Sequence, residues 1–223
     1  MAGTGAIPAP VMEVFKKVGT GAVADALAMA GLDGSISDIR PARGFEDARV
    51  VGPAVTVFWA PARPGTPQHT NFNAVHGTAS GSVLVIDGKG MHRRFGGDRH
   101  AEYAKRHGLA AFVIWGGVRD LAGYREVGMP LYCLGGTTKA KPGNFRVAAI
   151  NVPIEVGGVV VKPDDIIVAD EDGVVAVPKE AIDTVMENLK SVLQVEEEVN
   201  RAIERGALPE EINAIATKKK PRK

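Results

Sequence analysis

Two short segments of this 223-residue chain carry the side chains best suited to chemistry. Asp98 lies in Phe95-Gly96-Gly97-Asp98, and the pair Arg119-Asp120 follows the apolar run from Ala110 to Val118. Two carboxylates can hold a hard divalent cation such as Mg²⁺ or Mn²⁺, which prefers oxygen ligands. A guanidinium beside them can bind a carboxylate through two parallel hydrogen bonds. The residue types therefore predict a cation and an anionic substrate at one site, although an Arg-Asp pair by itself is typical of exposed ion pairs.

The segments around these residues predict alternating strands and helices. Apolar, β-branched runs indicate strands at residues 83–86 and 111–115, and the segments 101–107 and 121–127 indicate helices. Such alternation is typical of a parallel sheet with right-handed crossovers. Because ligands of α/β folds gather at the carboxyl ends of the strands, both segments are expected to face one crevice.

The rest of the chain predicts helices at both ends and short strands between them. Apolar spacing predicts two helical pieces within residues 11–30 and a strand at residues 50–59. The acidic turn at residues 170–173 could suggest calcium, but an Asp-Gly hairpin between two strands explains it better. Helical spacing from Ile182 to Ile203 predicts a long C-terminal helix, packed on this domain or on a partner subunit. The short β-branched runs are residues 152–154, 156–161, 166–169 and 174–177.

The composition indicates an ordinary soluble globular protein, with 45% hydrophobic and 24% charged residues. The longest apolar stretch, Val50 to Ala62, is too short to span a bilayer. Residues 1–8 lack the basic start and apolar centre of a signal peptide. Cys133 is the only cysteine, which excludes an internal disulfide and favours a reducing cytoplasm, and its apolar neighbours favour a packed thiol over a nucleophile.

We expect one α/β domain at residues 11–207, between a flexible N terminus at residues 1–10 and a disordered basic tail at residues 208–223. The net charge of +1 gives no electrostatic basis for a nucleic-acid footprint on the domain, and no membrane partner is expected. We interpret the tail as a solubilising segment. Its alternative role is nonspecific attraction to RNA or acidic surfaces.

The spacing between Asp98 and Arg119-Asp120 resembles the signature of class II pyruvate aldolases of the 4-hydroxy-4-methyl-2-oxoglutarate type. These aldolases share a fold with RraA-like regulators of ribonuclease activity. The resemblance covers roughly residues 15–180, in the expected order. Its other landmarks are Val23–Leu27, Gly52–Val57, Val83–Gly88, Gly117–Asp120, Gly128–Tyr132, Asn151–Ile154 and Ala169–Val174.

The resemblance implies an α/β, single-domain layered sandwich of the RraA-like, phosphohistidine-domain-like type, with a mixed central sheet and a long C-terminal helix. It implies that Asp120 coordinates the divalent metal, Mg²⁺ or Mn²⁺. Arg119 would contact the pyruvyl part of the substrate and help to stabilise its enolate, and Asp98 would orient a metal-bound water for proton transfer. The substrate carboxylate would be received by backbone amides, those of Gly96, Gly97, Asp98 and Arg99.

The implied activity is retro-aldol cleavage of a 4-hydroxy-2-oxo acid, of the 4-hydroxy-4-methyl-2-oxoglutarate or 4-carboxy-4-hydroxy-2-oxoadipate type, which releases pyruvate. Oxaloacetate decarboxylation is the expected side activity, because loss of carbon dioxide gives the same enolate. The implied assembly is a homotrimer or homohexamer with active sites between subunits. A neighbouring subunit would contribute a glutamate, for which Glu196, Glu197 and Glu198 are conceivable counterparts.

Some residues depart from the family pattern. Trp115-Gly116 stands where relatives often carry Asp-Gly, and Arg99-His100 follows the glycine loop where apolar residues are usual. Arg99 and His100 could recognise charge at the far end of the substrate or point to solvent. Arg93-Arg94 could attract a polyanionic substrate or form an ordinary solvated pair. The stretch Gln68-His69-Thr70-Asn71 lacks an Asp-Asn pair common in relatives.

The chain has no His-x-x-x-His or Cys-x-x-Cys spacing, so a dedicated zinc site is not expected. The remaining histidines are interpreted as polar surface or loop residues: His69, His76, His92 and His107. Two functional alternatives to the aldolase stay open. One is a non-catalytic regulator that binds an RNA-degrading enzyme, and the other is a different 2-oxo acid lyase that uses the same site.

Overall fold

The computed structural model describes residues 7–65, 67 and 69–219. The first six residues of the predicted flexible N terminus and the last four of the predicted tail lie outside this range. The α-helices in the described chain are α1 (Ala9–Phe15), α2 (Thr20–Met29), α3 (Asn71–His76), α4 (Asp98–Arg106), α5 (Leu121–Val127), α6 (Ile182–Glu204) and α7 (Pro209–Ala216).

The described strands form one large mixed sheet and one small hairpin. The strands of the large sheet are β1 (Ser35–Ile36), β2 (Arg40–Pro41), β3 (Val50–Pro61), β4 (Val83–Gly96), β5 (Ala111–Val118), β6 (Leu131–Gly136), β7 (Phe145–Ile150), β10 (Ile166–Asp170) and β11 (Gly173–Val177). The hairpin consists of β8 (Ile154–Val156) and β9 (Val159–Val161). This mixed sheet and the long helix α6 confirm the predicted α/β single-domain fold.

The sheet has the order β1-β11-β10-β3-β4-β5-β6-β2. Strands β3, β4, β5 and β6 run parallel, as the alternation of strands and helices predicted, and the outer strands are antiparallel to their neighbours. Strand β3 is long enough to pair with β10 along its first residues and with β7 along its last. The carboxyl ends of the four parallel strands therefore lie along one edge of the sheet.

Both faces of the parallel strands are buried, which is typical of sheets covered by crossover helices. Leu84 and Ile86 of β4 face the layer that holds α3, α4 and α5, and they are fully buried there. Val83 and Val85 of the same strand face the other way and pack beneath the β8–β9 hairpin. The continuous apolar run of β4 thus supplies two hydrophobic clusters.

A third cluster packs α1, α2 and α6 against β10 and β11. Helix α6 buries Val185, Leu189 and Val192 in it, so its apolar stripe is used largely within this domain. Asp170 at the end of β10 connects this strand to α2. Its carboxylate accepts hydrogen bonds from the amide and hydroxyl of Thr20 at the start of α2, at 2.8 and 2.7 Å. The acidic turn is a β10–β11 hairpin, as predicted, and Asp170 fixes a helix rather than a cation.

Three predictions about local structure need correction. The prediction of a disordered tail is wrong for residues 209–216, which form α7. Helix α3 lies at Asn71–His76, where His76 was interpreted as a surface or loop residue; the Thr70 hydroxyl and the Asn73 side chain make a reciprocal capping box that stabilises this short helix. Strand β4 continues to Gly96 rather than ending at Ile86, through register shifts along its pairing with β5.

Within the described residues, no helix is both long and apolar enough to cross a membrane.

Candidate active site

Asp98 is placed by the end of β4 and the start of α4. Gly96 ends the strand, Gly97 is the capping residue of the helix, and Asp98 is the first helical residue. The Asp98 carboxylate accepts a hydrogen bond from the amide of Arg99 at 2.7 Å. The carboxylate of Asp98 therefore lies at the positive end of the α4 dipole, where negative charge is favoured.

Arg119 and Asp120 occupy the equivalent position after β5. Asp120 is the capping residue of α5 and has a φ of +61°, in the left-handed region that residues other than glycine rarely adopt. The Arg119 Nε donates to Oδ2 of Asp120 at 3.0 Å, and the two side chains are 50% and 42% exposed. Unusual backbone conformations of this kind cluster at functional sites, and this one holds a carboxylate open to solvent.

The two segments meet across the starts of α4 and α5. A Cβ added to Gly97 would lie 3.2 Å from Oδ2 of Asp120, and one added to Gly123 of α5 would lie 2.4 Å from Cβ of Asp98. The Arg119 amide also donates to the carbonyl of Gly96 at 3.4 Å. The structure thus brings Asp98, Arg119 and Asp120 together, and two glycines make the close approach possible.

A cleft of about 420 Å³ opens beside Asp120. One wall consists of residues 118–121 and the other of residues 136–139, at the end of β6 and just after it. The second wall is tied to the first because the Thr137 amide donates to the Val118 carbonyl at 2.8 Å. Lys139 adds a cation to the cleft, and sequence reasoning missed it, because a single lysine after a strand carries no motif.

The glycine-loop amides are only partly available to a ligand. The amide of Arg99 already donates to the Asp98 carboxylate, and the amide of His100 donates to the Gly97 carbonyl at 3.0 Å. A substrate carboxylate at this loop would have to compete with Asp98 for the Arg99 amide. Arg99 itself has an exposed side chain, and His100 lines a different cavity.

Tyr124 lies directly beneath the site. Its side chain is fully buried, and a Cβ added to Gly96 would lie 2.8 Å from its hydroxyl oxygen. The Gly97 amide lies close enough to that hydroxyl to oppose the rise in its pKa slightly, but the hydroxyl makes no hydrogen bond of standard geometry to a described residue. Burial raises the pKa of Tyr124 far above its usual range, and the nearby Cys133, Asp98 and Asp120 raise it further, so the phenol stays neutral.

The donor set fits a weakly held hard cation. In the described part of the chain, no three His, Cys, Asp or Glu side chains are grouped so that they could hold a metal alone. Asp120 and Asp98 could supply one or two carboxylate ligands, which suffices for Mg²⁺ or Mn²⁺ because such ions retain several waters. The surrounding residues offer neither imidazole nor thiolate for zinc: burial raises the pKa of Cys133 to about 11, so its thiol stays protonated.

Other residues singled out in the sequence have structural contacts. His76 hydrogen-bonds the Tyr103 hydroxyl at 3.2 Å, and the His107 ring packs on the Tyr103 ring with centroids 4.1 Å apart. The Trp115 side chain packs in the cluster beneath the β8–β9 hairpin and does not line the cleft. The three candidate partner glutamates form ion pairs within their own chain: Glu196 with Lys219, Glu197 with Arg201 and Glu198 with Lys218.

Comparison with known proteins gives this geometry a context. Residues 20–176 match the model of the RraA-like family, described as Aldolase/RraA. A protein from Halalkalibacterium halodurans, provisionally named a 4-hydroxy-4-methyl-2-oxoglutarate aldolase, is 36% identical over 190 residues, which cover 85% of this chain and 86% of that protein. The matched ranges include both segments of the candidate site.

Two solved structures have a similar fold. An uncharacterised protein from Pseudomonas syringae pv. tomato superposes with a TM-score of 0.80 at 27% identity, over 93% of this chain and 98% of that one. Streptomyces coelicolor RraAS2, described as an unusual member of the RNase ES inhibitor RraA protein family, superposes with a TM-score of 0.75 at 29% identity. That alignment covers 87% of this chain and 97% of the Streptomyces protein.

Proposed function

Because the chain belongs to the RraA-like family, which includes aldolases and RraA proteins, we propose that it is a divalent-metal-dependent carbon–carbon lyase. Its substrate is a 4-hydroxy-2-oxo acid of the 4-hydroxy-4-methyl-2-oxoglutarate or 4-carboxy-4-hydroxy-2-oxoadipate type, and one product is pyruvate. The observation that carries the proposal is the approach of Asp98, Arg119 and Asp120 to one another at the starts of two neighbouring helices.

Each of the three side chains has a role that its position supports. Asp120 would hold Mg²⁺ or Mn²⁺, and the bound cation would supply positive charge where the enolate oxygen develops negative charge. Arg119 would bind the carboxylate of the pyruvyl end, since only its Nε is engaged with Asp120. Lys139 adds positive charge to the same cleft, which favours an anionic substrate. The amides of Gly96, Gly97 and Asp98 would assist at the carboxylate.

The reaction needs one base and one proton donor. Asp98 would accept the proton of the 4-hydroxyl group through an intervening water. The C3–C4 bond then breaks, the former hydroxyl carbon becomes a carbonyl, and the bonding electrons remain on the pyruvate enolate. Return of the proton to C3 gives pyruvate. Loss of carbon dioxide from oxaloacetate leaves the same enolate, so the enzyme should also decarboxylate oxaloacetate.

The proposed metal-dependent mechanism is tested by comparing the rate of pyruvate release of Asp120→Asn with that of the parent protein. In an assay coupled to pyruvate reduction, we expect this variant to lose at least about 100-fold of the Mg²⁺-stimulated rate, because the cation and the charge it supplies are lost together. Asp172→Asn is a matched control, since Asp172 is an exposed carboxylate in the β10–β11 turn. Undiminished turnover by Asp120→Asn with the metal chelated would exclude this mechanism.

The likeness to RraAS2 supports a second candidate function, a non-catalytic regulator that binds an RNA-degrading enzyme. The exposed carboxylate of Asp120 at the cleft, with the half-buried Asp98 nearby, favours the lyase, because a docking protein has no need for a cation site. A binding assay with a purified RNA-degrading enzyme, set beside the pyruvate assay on one protein batch, separates the two. If the protein is instead a different 2-oxo acid lyase, it should release pyruvate from another 2-oxo acid when several such acids are tested in the pyruvate assay.

The proposal extends to assembly and location. We propose a homotrimer or homohexamer, in which a neighbouring copy completes the open side of the cleft; light scattering would give three or six times the 23.4 kDa chain mass. We also propose a cytoplasmic location, in keeping with a single reduced cysteine.

A further inference from the structure

A second cavity of about 420 Å³ lies near the cleft but shares no lining residue with it. It is bounded by β3, α3, the start of α4 and the segment around β7. Three cationic side chains line it, those of Arg94, Lys141 and Arg146, and its described lining includes no aspartate or glutamate. The cavity is therefore cationic, and its charge has no counterion within the described lining.

None of the three cations forms an ion pair with a carboxylate of the described chain. Arg146 donates to two backbone carbonyls, those of Gly143 and Phe145, at 3.0 and 2.8 Å. The Nε of Arg94 is buried and makes no hydrogen bond to a described residue. The pKa of Lys141 is lowered by burial first, and then by the positive charges of Arg146 and Arg94, so the three groups are close enough to repel one another.

His100 contributes a further unpartnered atom. Its Nδ1 is buried without a hydrogen-bond partner among the described residues, and its ring lies against Phe72 with centroids 4.6 Å apart. Buried polar groups are normally paired, and two of the three unpaired ones in the described chain line this cavity.

Part of the cavity lining is an apolar wall. Trp59 and Phe95 contact each other edge to face, with centroids 5.2 Å apart, and Phe145 extends the wall. Asn71 links the indole of Trp59 to the backbone of β4, because it accepts a hydrogen bond from the Trp59 Nε1 at 3.3 Å and donates to the Phe95 carbonyl at 2.7 Å. The Asn71 side chain is therefore already hydrogen-bonded, whereas the Arg94 Nε and the His100 Nδ1 are not.

We propose that this cavity binds a small organic anion, with a carboxylate or phosphate group among Arg94, Lys141 and Arg146 and a ring-sized apolar body against Trp59. Such an anion would neutralise three mutually repelling cations and supply the missing acceptor for the Arg94 Nε. The wall would take the apolar body out of water. This site is distinct from the proposed lyase site and does not depend on it.

Trp59 reports binding directly. The chain has two tryptophans, so in a Trp115→Phe background the fluorescence comes from Trp59 alone. We expect benzoate or phenyl phosphate to give a saturable change with a Kd of about 1 mM or tighter, equivalent to about −4 kcal/mol. Acetate and inorganic phosphate, which lack the apolar body, should bind at least tenfold more weakly. The tighter of the two aromatic ligands identifies the charged group that the cavity prefers.

Charge variants locate the anion. Lys141→Gln and Arg94→Gln should each weaken binding at least tenfold, whereas Arg93→Gln should not, because Arg93 is exposed and lies outside the cavity lining. Thermal melts establish whether each variant is folded. If Arg94→Gln does not fold, the binding affinity of Lys141→Gln decides the test.

Pyruvate with Mg²⁺ should leave the benzoate affinity unchanged, since the two cavities share no residue. Equal affinity in Lys141→Gln and Arg93→Gln, displacement by pyruvate, or the lack of any saturable change would each overturn the proposal. None of these readouts uses pyruvate release, so failure of the lyase proposal would leave this result intact.

Discussion

Asp120 owes its position to its own backbone conformation. With φ at +61° it turns the chain from β5 into α5 and leaves its side chain at the mouth of the cleft. Aspartate tolerates this region better than most residues, because its short polar side chain can hydrogen-bond locally. Here that local partner is Arg119, so the backbone turn and the ion pair together set where the carboxylate lies.

The motif residues of the site could be predicted from the sequence, and the supporting cations could not. Asp98 and Arg119-Asp120 follow apolar runs, and the parallel strands carry them to one edge of the sheet. Lys139 and Lys141 reach their cavities from a loop whose sequence resembles any polar surface segment. A single lysine can be recognised as part of a site only when its spatial neighbours are known. Those neighbours come from distant parts of the chain.

Tyr124 provides a stability test at the residue scale. Its buried hydroxyl makes no hydrogen bond of standard geometry in the described chain, only a poorly aligned contact with the Gly97 amide. Removing that oxygen in Tyr124→Phe should therefore leave the free energy of unfolding unchanged or raise it by up to about 1 kcal/mol. Tyr132→Phe is the matched control, because the Tyr132 hydroxyl donates to the Ala48 carbonyl at 2.7 Å. The control should lose about 1 kcal/mol in urea unfolding. An equal loss in both variants would show that the Tyr124 hydroxyl is hydrogen-bonded in solution.

At the scale of elements, a strand or helix could be predicted where its burial produces a clear hydrophobic pattern in the sequence. The first residues of β4, 83–86, and most of β5 are buried on both faces and appear as continuous apolar runs. Strand β7 is only partly buried at most of its positions, so Phe145–Ile150 shows no clear period and was not predicted. Helix α7 buries none of its residues, and its ends are held instead by ion pairs such as Arg205–Glu211.

The contact between α4 and α5 gives a prediction for Gly123. Replacing a helical glycine by alanine normally stabilises a helix by up to about 1 kcal/mol. At Gly123 the new Cβ would lie 2.4 Å from Cβ of Asp98, so one helix must shift. We expect Gly123→Ala to destabilise the fold by about 1–3 kcal/mol and to displace Asp98, lowering the pyruvate-release rate at least about tenfold.

Gly21→Ala in α2 is the matched control for this steric argument. Gly21 is also helical and exposed, and a Cβ there meets nothing within 4 Å. Differential scanning calorimetry should show this variant as stable as the parent chain or slightly more stable, with normal activity. If Gly123→Ala behaved in the same way, the close packing of α4 on α5 would not be needed to place Asp98.

On the scale of the whole molecule, charge is balanced and the basic tail is partly engaged. Lys219 lies 2.9 Å from Asp25 of α2 and 3.0 Å from Glu196 of α6, and Lys218 lies 2.9 Å from Glu198. These ion pairs neutralise Lys218 and Lys219, which in the sequence belong to an uninterrupted run of basic residues. Most of these side chains are exposed and Lys219 is only partly buried, so each pair is expected to contribute less than about 1 kcal/mol to stability.

Deletion of residues 217–223 tests whether the tail attracts RNA. It removes five cations from a chain of net charge +1 and should leave the melting temperature almost unchanged, because only exposed ion pairs are lost. Since Lys218 and Lys219 are already paired with carboxylates, we expect neither form to bind single-stranded RNA in a fluorescence anisotropy titration at about 0.15 M salt. Binding by the full chain that the deletion abolishes, and that weakens steeply with added salt, would assign the tail to RNA and strengthen the regulator alternative. Retained pyruvate release by the truncated chain would then show that the two activities reside in separable parts of the molecule.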